Sequence, residues 1–502
     1  MTSEQNQIVG APRPAGLDRY AAAGLIFGSS AGVLVIEVVM LRLLAPYFGL
    51  TLETSTMVIG LALAAIAMGA WAGGRMADRV NPRLALGPLF GFAGVVVAVT
   101  PVAVRSAAAV DLAILLPMVA VVTIVLPSTM LAAVTPMVTK LRLTSLDETG
   151  TVVGRLSGIG TAGAIVGTVL TGFVLISRAP VSTIMIGLGI GLVLVAAVLQ
   201  VGAWRRWPAA VTAALIVVGG AGVAVAPGGC DAETIYHCAV VRADQERPSG
   251  RVLLLDGAPH SYIDLDDPTY LRFAYARAVA AVIDTAYPPG QPLRAYHLGA
   301  GALTLPRYLE RVRPGTTSLV SEIDPGVIRI DTEQLGLRVG DGLEVRIEDG
   351  RLGLGRLADD SRDLVIGDAF GGISVPWHLT TREAVDEVER VLTEDGTYAV
   401  NVIDRGPVAF ARAEVRTLAE VFDHVALAAA EDTLFGGGGG NLVAIASNAP
   451  IDAAAIAGQL AERGTEWRVV TGPELLTWVG DAEVLTDDYA PVDQLLTPYA
   501  TR

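Results

Sequence analysis

Seven runs of apolar residues, each about 20 long, follow one another through the first half of the chain: 20–44, 54–74, 84–104, 112–135, 156–176, 181–203 and 209–227. A helix rises 1.5 Å per residue, so about 20 apolar residues cross the ~30 Å hydrocarbon layer of a bilayer. Several runs are rich in glycine and alanine, and Gly154, Gly158, Gly160, Gly163 and Gly167 mark the fifth. Missing side chains let helix backbones approach closely, which predicts one all-α transmembrane bundle of about seven helices, not separate anchors.

Past Gly229 the pattern changes to short apolar runs separated by turns. Residues 234–241, 251–255 and 261–264 read as strands of a small antiparallel unit. From Leu293 strands and helices alternate: strand 294–298 and a helix from Leu303, strand 318–323 and a helix from Pro325, strands 344–347 and 363–367, helix 380–392, strand 397–402, then a helix through Glu420. This order predicts a mostly parallel sheet with helices on both faces, a Rossmann-like α/β fold. The run Gly436 to Gly440 suits a connection between two final strands, 424–429 and 442–446. The expected division is a tail over 1–19, the bundle over 20–228, a small β entry unit over 229–292 and the α/β domain over 293–502.

Charge adds orientation and narrows the partners. Residues 1–229 carry a net +5 and residues 230–502 a net −20. An acidic domain repels phosphate backbones, which excludes nucleic acid as a partner and favours small cations, although it also simply keeps a domain soluble. Between the apolar runs, ten Lys/Arg fall on one side (Arg13, Arg19, Arg75, Arg79, Arg83, Lys140, Arg142, Arg155, Arg205, Arg206) and three on the other (Arg42, Arg105, Arg178). Basic loops stay inside, so the N-terminus is expected in the cytoplasm, and seven spans would deliver the second half to the other side. Met1 to Arg19 has no signal-peptide pattern. Glu37 stands mid-span in the first run, where a charge needs a function or a partner. The only cysteines, Cys230 and Cys238, cannot build a four-ligand zinc site; they would pair outside the cytoplasm or stay as thiols inside. The five histidines lack metal spacing, so no metal is expected.

The sharpest chemical signal is His297-Leu298-Gly299-Ala300-Gly301, a strand running into Gly-x-Gly and a helix start. Absent Cβ atoms there admit a ligand beside the helix N-terminus. Glu322 ends the next strand, 21 positions past Gly301, where a carboxylate accepts both ribose hydroxyls of a nucleoside. Asp349 and Asp368 end the following two strands, so all three carboxylates are expected to converge on one crevice, Asp349 toward the adenine and Asp368 toward the reactive end. No second glycine pair cradles a pyrophosphate, which disfavours NAD and favours S-adenosylmethionine or its decarboxylated form.

Together with Asp256-Gly257, Glu322-Ile323-Asp324, Asp349-Gly350-Arg351, Leu379-Thr380-Thr381 and Leu485-Thr486-Asp487-Asp488, these residues resemble spermidine synthases fused to a membrane bundle. The resemblance extends to Glu37, to the stretch Arg42 to Gly49 and to Gly73-Gly74-Arg75-Met76-Ala77-Asp78-Arg79. It implies transfer of an aminopropyl group from decarboxylated S-adenosylmethionine to an amine such as putrescine, with Asp368 as the base. The chain departs from the family at Ala302 and Gly371, where aminopropyltransferases usually carry Asp, at His260 for a Gln, and at Phe273-Ala274-Tyr275-Ala276 for the diamine-holding stretch. His260, Tyr275 and His378 are the expected acceptor contacts, with Trp377 beside them as a lid or a packed aromatic. The expected partners are the lipid bilayer and a small cationic amine, and a homodimer is left open. Two other classes remain at this point: a methyltransferase on the same fold, and a transporter or sensor with a nucleoside-binding domain.

Overall fold

The computed structural model describes residues 17–48, 52–108, 110, 112, 114–143, 148–201, 230–338, 340, 342–371, 374–435 and 437–496. The chain divides into two compact units, Met1–Leu44 with Glu53–Pro227, and Ala45–Leu52 with Gly228–Arg502.

The described residues of the first unit form helices: α1 (Arg19–Phe48), α2 (Leu52–Arg79), α3 (Pro82–Ala108), α4 (Leu115–Ala132), α5 (Val134–Arg142), α6 (Thr149–Leu170), which ends in a π-turn at Thr171–Leu175, and α7 (Val181–Val201). Among the described residues six stretches are long and apolar enough to cross a membrane, α4 joining α5 as one of them. The seventh expected span, 209–227, lies outside the described residues. Large apolar side chains stand exposed on these helices, Phe173 at 79% and Val198 at 75%. Such a surface suits hydrocarbon, not water.

Close packing within the bundle falls on part of the expected glycine stripe. A Cβ on Gly163 would lie 2.9 Å from the Phe27 Cα, and one on Gly167 would lie 2.6 Å from the Ala31 carbonyl oxygen, so α6 and α1 touch backbone to backbone. Gly154 and Gly158 meet nothing within 4 Å, which removes them from the expected packing stripe.

The second unit opens with four antiparallel strands in chain order, β1 (Ala232–Glu233), β2 (Cys238–Ala243), β3 (Gly250–Leu255) and β4 (Ala258–Asp264). Residues 234–237, expected within a strand, form the turn between β1 and β2. The cause is local: the Thr234 N–H donates to the His237 carbonyl at 2.8 Å, while the Thr234 hydroxyl and the Tyr236 N–H are drawn to Asp324. Cys230 and Cys238 form a disulfide beside this turn.

Then come α8 (Ala274–Ala286), β5 (Arg294–Leu298), α9 (Thr304–Val312), β6 (Thr317–Glu322), α10 (Pro325–Gln334), β7 (Leu343–Ile347), α11 (Gly350–Leu354), β8 (Arg362–Gly367), α12 (Arg382–Val391) and β9 (Leu392–Asp404). The chain closes with α13 (Ala409–Val421), β10 (His424–Ala430), α14 (Glu431–Phe435), β11 (Gly440–Ser447), α15 (Ala453–Glu462), β12 (Trp467–Thr471), α16 (Gly472–Val479) and α17 (Val492–Leu495). The eight strands β5 to β12 make one sheet, ordered β12-β10-β11-β9-β8-β5-β6-β7. Strands β5 to β9 are parallel, and β10, β11 and β12 join antiparallel. The helix expected from Thr380 begins at Arg382, because Thr381 caps it by accepting from the Ala384 N–H. Strands β10 and β11 are not the last: β12 adds to β10 through a five-residue run too short to declare itself in the pattern, and α14 precedes the glycine run.

Apolar residues lie on both faces of the central strands, Tyr296 and Val365 on one side and Leu364, Ile366 and Ala399 on the other. The alanine-rich α8 buries Ala278, Ala280, Ala281 and Ile283 in the second of these cores. The chain enters the sheet at β5, runs outward through β6 and β7, then returns to β8 on the opposite side. That reversal opens a crevice between the carboxyl ends of β5 and β8, the position where open α/β sheets bind ligands.

Candidate active site

The β5–α9 joint shows why two glycines stand there. Gly299 (φ +91°) and Gly301 (φ +50°) take left-handed conformations that favour glycine. A Cβ on Gly299 would lie 2.5 Å from the Asp368 carbonyl oxygen, and one on Gly301 would collide with the Ser261 hydroxyl. The turn is therefore wedged between β4 and the end of β8. Replacing Gly299 with Ala combines that collision with the backbone strain, and we expect it to cost roughly 2–4 kcal/mol of stability. Chemical denaturation of the full chain checks the value, and a loss below about 0.5 kcal/mol contradicts the wedged geometry.

Glu322, buried at the end of β6, accepts from the Ala300 N–H at 2.9 Å with one carboxylate oxygen and from the Asp324 N–H at 2.8 Å with the other. It thereby ties the glycine turn to its own strand. Burial raises its pKa, against the lowering effect of those two N–H groups. Each oxygen keeps a free lone pair for a ligand hydroxyl. Asp324 next to it caps α10 through the Gly326 N–H and holds the Thr234 turn.

Asp349 is the N-cap of α11, accepting from the Arg351 and Leu352 N–H groups at 3.0 and 3.1 Å. Its second oxygen meets His378 Nε2 at 2.8 Å. Burial opposes ionisation, but the Leu352 N–H and His378 outweigh it and hold the carboxyl below its ordinary value. His378, expected beside the acceptor, is thus bonded to Asp349 and not to Asp368. Arg351 forks onto Asp487 with two 2.7 Å bonds, and Thr381 donates to Asp487 at 2.8 Å. Three motifs far apart in the sequence, around 350, 380 and 487, meet in this one ion pair.

Asp368 follows β8. One oxygen accepts from Asn401 Nδ2 at 2.9 Å and the other from the Tyr275 hydroxyl at 3.1 Å. Burial pushes its pKa up to about 6 against both hydrogen bonds. Asn401 is itself held by Asn441, whose Nδ2 donates to the Asn401 side-chain oxygen at 2.9 Å. Tyr275, expected to touch the acceptor, reaches Asp368 from α8. His260 stands beside His237, ring centres 6.2 Å apart, and burial followed by the neighbouring His237 lowers its pKa to about 4. His237 Nδ1 bonds Asp256 at 2.8 Å, and Asp256 also accepts from the Cys238 N–H at 2.8 Å.

All eight residues singled out from the sequence, Gly299, Gly301, Glu322, Asp349, Asp368, His260, Tyr275 and His378, border one cavity of about 300 Å³. Asn401, Asn441 and His237 border it too and were missed. Asn401 did leave a signal, as a polar residue inside the apolar run Tyr398-Ala399-Val400-Asn401-Val402.

No protein-family model matches the chain. A polyamine aminopropyltransferase of Chromobacterium violaceum is 28% identical over 142 residues, and one of Vibrio vulnificus is 29% identical over 113. Over these stretches the chain is similar to polyamine aminopropyltransferases. The matched stretches span 53% and 38% of these two relatives' own lengths and 28% and 22% of this chain. Among solved structures, a probable spermidine synthase from Corynebacterium glutamicum is 28% identical, covering 51% of this chain and 95% of its own with a TM-score of 0.48. Spermidine synthase from Thermotoga maritima is 18% identical, covering 52% of this chain and 81% of its own at a TM-score of 0.34. Against the spermidine synthase pattern, Ala302 is fully buried in an apolar cluster with Leu253 and Val327, so an apolar side chain stands where the resemblance would place a carboxylate.

Proposed function

We propose that this chain is a membrane-bound aminopropyltransferase that uses decarboxylated S-adenosylmethionine as donor and an amine, putrescine in the family it resembles, as acceptor. The observation that carries the reading is Asp368: a partly buried carboxylate at the sheet's switch point, fixed by Tyr275 and Asn401 beside the glycine turn. Glu322 would hold the ribose hydroxyls and the Gly299 turn would pass the nucleoside, with Asp349 and His378 at the adenine end.

The acceptor nitrogen attacks the propyl carbon bound to sulfur, the C–N bond forms and the C–S bond breaks. The bonding pair stays on sulfur, releasing 5′-methylthioadenosine, and Asp368 takes the proton from nitrogen. A sulfonium carbon is already electrophilic, so the protein has only to align the amine and accept the proton. The donor's positive charge would draw the pKa of Asp368 down, keeping it anionic when the acceptor arrives.

Calorimetry on the full chain in lipid nanodiscs tests the donor. Decarboxylated S-adenosylmethionine is expected to bind at least about tenfold tighter than S-adenosylmethionine. The opposite preference would favour a methyltransferase.

We further propose that the domain faces the extracytoplasmic side. Support comes from the ten-to-three bias of basic residues, the seven apolar runs and the Cys230–Cys238 disulfide, a bond that persists in oxidising compartments. An impermeant thiol reagent applied to intact cells is expected to label Cys230 only after external reduction. Protection both before and after reduction contradicts this orientation.

A further inference from the structure

Resting on the aminopropyl reading, we propose that the acceptor is a monoamine: a compact primary amine whose remaining chain carries no second cation. Three carboxylates border the cavity, and two are committed elsewhere. Glu322 holds two backbone N–H groups at the β6 end, and Asp349 caps α11 and meets His378. Among the described residues that border the cavity, Asp368 is the remaining carboxylate.

Around Asp368 the polar lining is neutral. Asn401 turns its Nδ2 to Asp368 and spends its oxygen on Asn441, while Tyr275 spends its hydroxyl on Asp368. Partly buried His260 borders the same cavity, and desolvation holds its pKa down to about 4. Phe273, Phe370 and Ile403 add apolar surface to the cavity. The donor already brings a sulfonium and a propyl ammonium to this end. A diamine would add a second ammonium facing amide groups, with no further carboxylate among the described residues that border the cavity to pair it, and an unpaired buried charge is strongly disfavoured. A neutral hydroxyl or a short alkyl end meets no such obstacle.

The test compares 4-aminobutan-1-ol with 1,4-diaminobutane, equal in length and differing in the second ammonium. Full chain in nanodiscs, saturated with decarboxylated S-adenosylmethionine, is assayed for released 5′-methylthioadenosine. The amino alcohol is expected to show a kcat/KM about tenfold or more above the diamine. An equal or higher value for the diamine overturns the monoamine inference and leaves the aminopropyl reading standing, whereas no transfer to either amine overturns both. Asn441→Asp, which places a carboxylate at this end, is expected to shift the ratio about tenfold toward the diamine. An unchanged ratio in a folded Asn441→Asp protein also counts against the inference, and the wild-type comparison stands by itself where that variant fails to fold.

Discussion

Asp368→Asn is expected to cut aminopropyl transfer about 10³-fold while donor affinity changes by less than about tenfold. Asn has no anionic oxygen to take the proton, yet it fills the same space against Tyr275 and Asn401. Stopped-flow release of 5′-methylthioadenosine measures the first quantity and calorimetry the second. The wild-type pH profile carries the same logic. Burial lifts the folded pKa of Asp368 from 3.8 to about 6, while Asn401 and Tyr275 pull it down. The base is the deprotonated form, so kcat/KM in free enzyme should rise with pH and reach half its plateau near that value. Below it the carboxyl is protonated and idle. Asn401→Leu removes one of the two groups that favour the anion, so the midpoint should move upward by about one pH unit. A midpoint that moves down, or an Asp368→Asn enzyme with wild-type rate, removes Asp368 from the chemistry.

Glu322→Gln is expected to weaken donor binding about 10²-fold, since hydrogen bonds to a buried charged acceptor are worth roughly 1.5–3 kcal/mol each. Both oxygens of Glu322 face backbone N–H groups, those of Ala300 and Asp324. Glutamine offers one oxygen and one NH2, so a donor must confront a donor. The glycine turn then loses an anchor, and the variant should also unfold at lower denaturant, by about 1–3 kcal/mol. Binding and stability falling together is the signature of a residue that holds both the ligand and its loop. Unchanged donor affinity would place the ribose elsewhere.

The membrane helices were legible because length and hydropathy are local properties: six of the seven runs reappear as helices, and the seventh lies outside the described residues. The crevice was legible for a related reason. In a parallel sheet every strand ends on the same edge, so Glu322, Asp349 and Asp368 could be placed together without any knowledge of side-chain direction. What stayed hidden depends on which atom meets which. The hydroxyl of Tyr275 reaches Asp368 from a helix 93 residues earlier, and His378 turns to Asp349 across 29 residues. Neither partner is marked by spacing. At 234–237 the residue types of Thr234 and Tyr236 suit a strand; Asp324, 90 residues from Thr234, overrides that preference. β12 escaped because an edge strand of five residues, buried only at Val470, shows hardly any alternation.

The central claim, that this cavity joins a propyl group to an amine with Asp368 as base, is tested most directly by one incubation. Full chain, decarboxylated S-adenosylmethionine labelled in the propyl carbons, and a set of primary amines including 4-aminobutan-1-ol and putrescine are followed by mass spectrometry. Labelled aminopropyl amine appearing in equal amount with 5′-methylthioadenosine, and lost in Asp368→Asn, is the predicted result. Bound donor without labelled amine product, or product formation that survives Asp368→Asn, would contradict it.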